Sequence, residues 1–92
     1  MHRSHLLPQD LPHAEMIAAA AALVLAPAKG ETVPLLDAAH AISREVRRSD
    51  GDSSAYRLGT VKRVLEEAGI RTRREPTGGD TVYLDGIRLF AL

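Results

Sequence analysis

The 92-residue chain carries 12 basic and 12 acidic side chains, so its formal net charge at pH 7 is zero. A chain of this length forms one domain with one modest core. The absence of cysteine excludes disulfides and thiolate metal sites. Because the total charge is neutral, an argument for nucleic-acid binding has to rest on where the basic residues lie rather than on their number.

The N-terminal part of the chain predicts a loose arm followed by one helix. Residues 1–12 show no hydrophobic period, so we expect a flexible arm there and place the domain at residues 13–92. An unbroken apolar run over residues 16–26 favours a first helix over residues 13–26, which Pro27 ends. The run is too short to span a bilayer and lacks the basic flank of a secretion signal. We therefore expect a cytoplasmic protein without membrane contacts.

Two amphipathic helices are predicted in the middle of the chain. The second helix covers residues 34–48. Its apolar residues recur at helical spacing and form one stripe: Leu35, Ala38, Ala39, Ile42 and Val46. Its charged residues lie largely away from that stripe: Asp37, Arg44, Glu45 and Arg48. After a turn, Ser53 or Ser54 can cap a third helix over residues 54–68, which stops at Gly69. The inner stripe of the third helix consists of Leu58, Val61, Val64, Leu65 and Ala68.

The hydrophobic period then changes from helical to alternating, which predicts an antiparallel hairpin over residues 70–84. Between the first two helices, residues 31–33 should be extended, because Pro34 disfavours the helical conformation in its predecessor. Two options remain open for residues 87–92. Asp85-Gly86 can form a two-residue turn into a third strand, or it can open a short helical turn. Three helices followed by a hairpin predict a small α+β fold.

The third helix and the following strands carry a resemblance to a known family. Residues 56–70 read Tyr-Arg-Leu-Gly-Thr-Val-Lys-Arg-Val-Leu-Glu-Glu-Ala-Gly-Ile, which resembles the recognition helix of bacterial winged helix-turn-helix regulators. Residues 71–74 and 78–83 are similar to the hairpin wing that follows such a helix. The resemblance implies a non-enzymatic DNA-binding module, either a transcriptional regulator or an accessory of replication, partition or mobile elements. Its third helix would enter the major groove and its wing would contact the backbone.

The placement of charge along the chain fits a duplex DNA partner. Residues 53–74 contain six basic and two acidic side chains, a local balance of plus four. Such a patch neutralises phosphates and releases condensed counterions. We expect Arg63 at the centre of the exposed face to contact base edges, while Gly59 and Thr60 allow close approach. Arg73 and Arg74 on the wing would meet phosphate or the minor groove. The candidate DNA-binding residues are Ser54, Tyr56, Arg57, Gly59, Thr60, Lys62, Arg63, Arg71, Arg73 and Arg74.

A second functional class is a winged helix that docks another protein without binding DNA. Glu66 and Glu67 place negative charge on the exposed face of the third helix, and the turn over residues 49–54 is longer than a minimal helix-turn-helix turn. The histidines and carboxylates lack the spacing of a metal or catalytic site, so we expect no metal, no cofactor and no enzymatic activity. Because the first helix is apolar almost all round, we also predict a homodimer through residues 13–26.

Overall fold

Three helices and three strands make up the fold in a computed structural model, which describes residues 6–50, 56–75 and 81–90. A short 3-10 helix at Pro8–Asp10 precedes the first helix. The other elements, in chain order, are α1 (Leu11–Val24), β1 (Leu25–Pro34), α2 (Leu35–Asp50), α3 (Leu58–Glu67), β2 (Arg71–Arg74) and β3 (Val82–Leu89). The predicted α+β class with three helices is confirmed. The sheet has one strand more than the predicted hairpin.

The central strand of the antiparallel sheet is β3, and the strand order is β1-β3-β2. The first and last residues of β1 pair with Leu89 and Tyr83. Between these ends the register shifts, so that residues 28–31 of β1 lie opposite Gly86 alone. Gly30 and Gly86 have φ angles of 83° and 70°. Because residues with a Cβ rarely adopt such angles, this irregularity depends on glycine in both strands.

Strand β1 departs most from the sequence prediction. The extended conformation of residues 31–33 is confirmed, but the strand already begins at Leu25, inside the predicted helix over residues 13–26. The residues after Val24 pair with β3 instead of continuing the helix, and the Phe90 amide donates to the Val24 carbonyl at 2.7 Å. Pairing with a strand far away in the sequence therefore outweighs the helical propensity of the residues before Pro27.

The residues just before α1 also differ from the prediction of a flexible arm over residues 1–12. Residues 8–12 form the 3-10 helix and the start of α1, and Leu6 packs against the core. Asp10 has no exposed surface. Pro12 fits the first turn of α1, because the amides of that turn have no partner within the helix. Residues 6–12 therefore belong to the folded domain, and residues 1–5 lie outside the described ranges.

Helix α2 follows its predicted stripe closely. All five predicted apolar positions are buried, with at most 6% of their surface exposed. The prediction is wrong for Glu45, which is only 5% exposed. Its carboxylate accepts two hydrogen bonds from the Arg48 guanidinium, at 2.9 and 2.8 Å. These bonds, opposed by burial, hold the pKa of Glu45 below its ordinary value. The buried carboxylate is therefore neutralised by an arginine whose side chain is 72% exposed.

Helix α3 begins later than the prediction of residues 54–68. Its first residue is Leu58, and Arg57 before it has an extended backbone with φ −66° and ψ 140°. The side chain of Arg57, the N-cap residue, makes no capping hydrogen bond to the helix. The predicted capping residues Ser53 and Ser54 lie outside the described ranges.

The end of α3 follows the prediction. Gly69 has a φ of 95°, the left-handed conformation in which glycine commonly ends helices. Its amide donates to the Glu66 carbonyl at 3.0 Å, and the Ile70 amide donates to the Leu65 carbonyl at 3.0 Å. This pair of bonds is the Schellman motif, and it sends the chain directly into β2.

The predicted hairpin over residues 70–84 is confirmed by the antiparallel pairing of β2 with the first half of β3. The turn predicted at Asp85-Gly86 is wrong, because β3 runs through both residues to Leu89. Neither option for residues 87–92 is therefore correct: the first of these residues are extended, but they continue the same strand. The reason is β1, which pairs with this half of β3. The last two residues and the turn predicted between β2 and β3 lie outside the described ranges.

The core lies between the three helices and one face of the sheet. Its buried hydrophobic residues are Ile17, Ala20, Ala21, Val24, Leu25, Val33, Leu35, Ala38, Ala39, Ala41, Ile42, Val46, Val61, Val64, Leu65 and Leu84. Two members of the predicted α3 stripe, Leu58 and Ala68, are exposed instead. Across the described ranges, no helix combines the length and the apolar character needed to cross a membrane.

Candidate nucleic-acid interface

The α3 arginine predicted to read bases is bound by a buried carboxylate. Arg63 donates from Nε to Asp10 Oδ2 at 2.6 Å and from a terminal nitrogen to Oδ1 at 3.1 Å. The same carboxylate accepts bonds from the Leu7 amide and from the Thr60 hydroxyl, both at 2.9 Å. The Arg63 hydrogen bond, opposed by burial and assisted by Leu7 and Thr60, holds the pKa of Asp10 well below its usual range. Three donors from α3 thus hold the carboxylate just before α1, and the fourth, from Leu7, is local.

This cluster changes the roles expected for three candidate residues. The Arg63 side chain is 28% exposed, and its guanidinium lies beside Gly59, where an added Cβ would meet a terminal nitrogen at 3.2 Å. Thr60 is 5% exposed and points its hydroxyl at Asp10, so its placement on the exposed face is wrong. Gly59 is exposed but partly flanked by this guanidinium. The centre of α3 is therefore occupied by an internal contact.

A second ion pair lies within α3, and its carboxylate also binds the first strand of the hairpin. Lys62 Nζ lies 3.1 Å from Glu66 Oε2, one helical turn away. The same oxygen accepts a hydrogen bond of 2.8 Å from the Thr72 hydroxyl on β2. Glu66, which the sequence placed on the exposed face, is half-buried and links α3 to the hairpin. Lys62 keeps 36% of its side chain exposed, so its charge is partly accessible.

The three arginines of β2 are all exposed, but alternation along the strand separates them. Arg71 and Arg73 lie on one face of the sheet, and Arg74 lies on the other face with Thr72. Arg73 Nε is 3.4 Å from Asp85 Oδ1 on β3, and both side chains are about half exposed, at 55% and 46%. Such an exposed pair is weak and screened by salt. Arg73 therefore remains accessible to a phosphate that can replace Asp85.

The segment leading into α3 has one residue that packs and one that is accessible. Tyr56 is half-buried, with its ring 5.4 Å from that of His13 and its hydroxyl 4.0 Å from the Met16 sulfur. It therefore packs α3 against α1 rather than presenting an open surface. Arg57 is exposed at the position before the first helical residue. The candidate Ser54 lies outside the described ranges.

The fold lowers the local charge that the sequence predicts. The segment itself holds six basic residues with Glu66 and Glu67, and two of its arginines pair in addition with Asp10 and Asp85 from elsewhere in the chain. Six against four leaves plus two, instead of plus four. Within the described ranges, three exposed arginines near α3 form no ion pair: Arg57, Arg71 and Arg74.

Sequence reasoning missed Asp10, because no local pattern links it to Thr60 and Arg63, which lie 50 and 53 positions later. The available local signal was a carboxylate near the start of a predicted helix, a position typical of a cap, although Asp10 makes no capping hydrogen bond to α1. No protein-family model, curated protein or solved structure matches the chain.

In the part of the chain that the structure describes, no three histidine or carboxylate side chains gather as metal ligands would.

Proposed function

We propose that the chain is a winged helix-turn-helix module that binds duplex DNA, with α3 toward the major groove and the β2–β3 hairpin as a wing on the backbone. The element order α1-β1-α2-α3-β2-β3 with sheet order β1-β3-β2 is compatible with such a module. The observation that carries the proposal is the set of exposed arginines at both ends of α3: Arg57 before its first turn, and Arg71, Arg73 and Arg74 on the strand after it.

The proposed contacts are mainly to phosphate. Arg63 is held by Asp10, so it is no longer our candidate for reading a base edge. Replacing it by alanine would leave Asp10 buried without its main partner and would test the fold rather than binding. The exposed wing arginines instead suit backbone phosphates, which supply affinity without sequence information. We therefore propose weak sequence preference and strong salt dependence.

Chemical-shift mapping tests this proposal. Labelled protein is titrated with a random-sequence duplex at low ionic strength, and amide shifts are followed residue by residue. The proposal predicts shifts in α3 and β2, at Arg57, Arg71 and Arg74 in particular, with the outer face of α1 unaffected. Shifts confined to other surfaces, or none at all, would contradict it.

The second candidate, a winged helix that docks a protein, is favoured by a different observation. Lys62, Arg63 and Arg73 are already paired with carboxylates, and Leu58 at the start of α3 is 43% exposed. A partly neutralised surface with an apolar residue suits a protein partner better than a polyanion. The same titration separates the two proposals, because a protein-docking surface gives no salt-dependent response to duplex DNA.

A further inference from the structure

A groove of about 450 Å³ opens between the second half of α2 and the end of the sheet where β1 begins and β3 ends. Four of its lining residues are apolar: Val24, Ala41, Leu89 and Phe90. The β2 arginines pair with β3 between Val82 and Asp85, so even the nearest pairing position is four residues, about 13 Å, from Leu89 at the rise of a β-strand. The groove is therefore separate from the arginines of the proposed DNA surface.

Phe90 makes the groove a candidate for an apolar ligand. It is the only phenylalanine of the chain, and 51% of its surface is exposed. Its amide donates a hydrogen bond of 2.7 Å to the Val24 carbonyl, which fixes the backbone beside the groove. Covering an aromatic ring that the fold holds at the edge of a concavity is favourable, because it removes apolar surface from water.

The charged residues of the groove leave one cation available. Glu45, whose side chain is 3% exposed, is neutralised by Arg48 through the two hydrogen bonds described above. Arg44 lines the same groove and is exposed, and no residue of the described ranges forms an ion pair with it. Two arginines against one glutamate give the groove a charge of plus one. Its ligand should therefore carry one negative charge.

The surface next to the groove is also positively charged. Arg44 and Leu89 also line a neighbouring concavity, together with His40, Arg47 and Asp37. The formal charges of this concavity are those of Arg44, Arg47 and Asp37, a balance of plus one, so it is positive like the groove. Among the described residues, Arg44 is the charged side chain that both concavities share.

We propose that this groove binds a small amphipathic carboxylate, with its apolar body against Phe90 and Leu89 and its carboxylate on the Arg44 guanidinium. The volume of about 450 Å³ falls within the usual range for small-molecule sites. The planar guanidinium can hold a carboxylate through two parallel hydrogen bonds. A neutral apolar molecule would forgo these bonds, and a cation would be repelled by Arg44. The proposal goes beyond DNA binding and does not depend on it.

The test uses 4-phenylbutyrate as the probe and 4-phenylbutanol as its uncharged counterpart. Each compound is titrated into labelled full-length protein at millimolar concentrations, and amide shifts are followed by NMR. Arg44→Gln removes the proposed anchor. Arg88→Gln is the matched control, because Arg88 is an exposed arginine next to Leu89 in sequence and does not line the groove. Both positions are exposed, so neither change should alter the fold, and unchanged spectra of the core amides check this directly.

We expect the carboxylate to shift the amides around Ala41, Leu89 and Phe90. Arg44→Gln should weaken binding about ten-fold, as expected for the loss of a hydrogen bond between charged groups, and the alcohol should bind about ten-fold more weakly than the acid. Arg88→Gln should bind like the wild type. Absence of shifts, equal binding of acid and alcohol, or binding that survives Arg44→Gln would each overturn the proposal. None of these outcomes bears on the response to duplex DNA, so the two proposals fail independently.

Discussion

Replacing Thr60 by valine tests the contact between α3 and the start of α1 with little change in shape. Valine has nearly the same volume as threonine but cannot donate the bond of 2.9 Å that the hydroxyl makes to Asp10. Thr60 is 5% exposed, so water cannot replace the missing donor. A hydrogen bond to a charged group contributes about 1.5–3 kcal/mol, and we expect the free energy of unfolding to fall by that amount.

The assay is thermal unfolding followed by circular dichroism at neutral pH. For a domain of this size each kcal/mol corresponds to about 4–8 °C, so the melting temperature should fall by roughly 6–24 °C. Thr60→Ser is the control, because it keeps the hydroxyl and loses only a methyl group. The reasoning is refuted if valine at this position leaves the melting temperature unchanged, or if serine destabilises the protein as much as valine.

Two further predictions concern pH and assembly. The lowered pKa values of Asp10 and Glu45 mean that the unfolded state binds more protons in acid, so stability should fall as pH drops below the ordinary carboxyl values near 4. Asp10→Asn should be less stable at neutral pH and show a shallower loss in acid, measured by urea unfolding from pH 7 to 2; an equal slope would contradict the assignment. For the predicted homodimer, Leu11 and Leu23 on the outer face of α1 are 62% and 57% exposed. Sedimentation velocity at tens of micromolar should show a dimer that Leu23→Glu dissociates, and a monomeric wild type would remove this prediction.

The sequence predicted the structure correctly where the conformation of a residue depends on its neighbours in the same helix or strand. The stripe of α2 and the end of α3 at Gly69 were predicted correctly, because helical spacing and a left-handed glycine are properties of a few consecutive residues. The extended conformation of residues 31–33 followed in the same way from Pro34.

Long-range contacts decided the features that the sequence did not predict. Residues 25 and 26 are extended because β3 pairs with them, and Asp85-Gly86 forms no turn for the same reason. The exposed arc of α3 was also misjudged. A helical wheel gives the angle of Thr60 and Arg63, but not which side the segment ending in Asp10 covers. The segment ending in Asp10 buries Thr60, and its carboxylate binds the Arg63 guanidinium.

A salt titration of duplex binding tests the proposed function most directly. If Arg57, Arg71, Arg73 and Arg74 each neutralise one phosphate, log K against log salt should have a slope of about −3.6. Arg71→Ala should reduce the magnitude of that slope by about one. Arg88→Ala should leave the slope unchanged, because Arg88 is an exposed arginine near the C-terminal end of β3. Anisotropy measurements on a random-sequence duplex give all three slopes. Wild-type protein that shows no salt-dependent binding at low ionic strength would contradict the DNA-binding proposal and leave protein docking in its place.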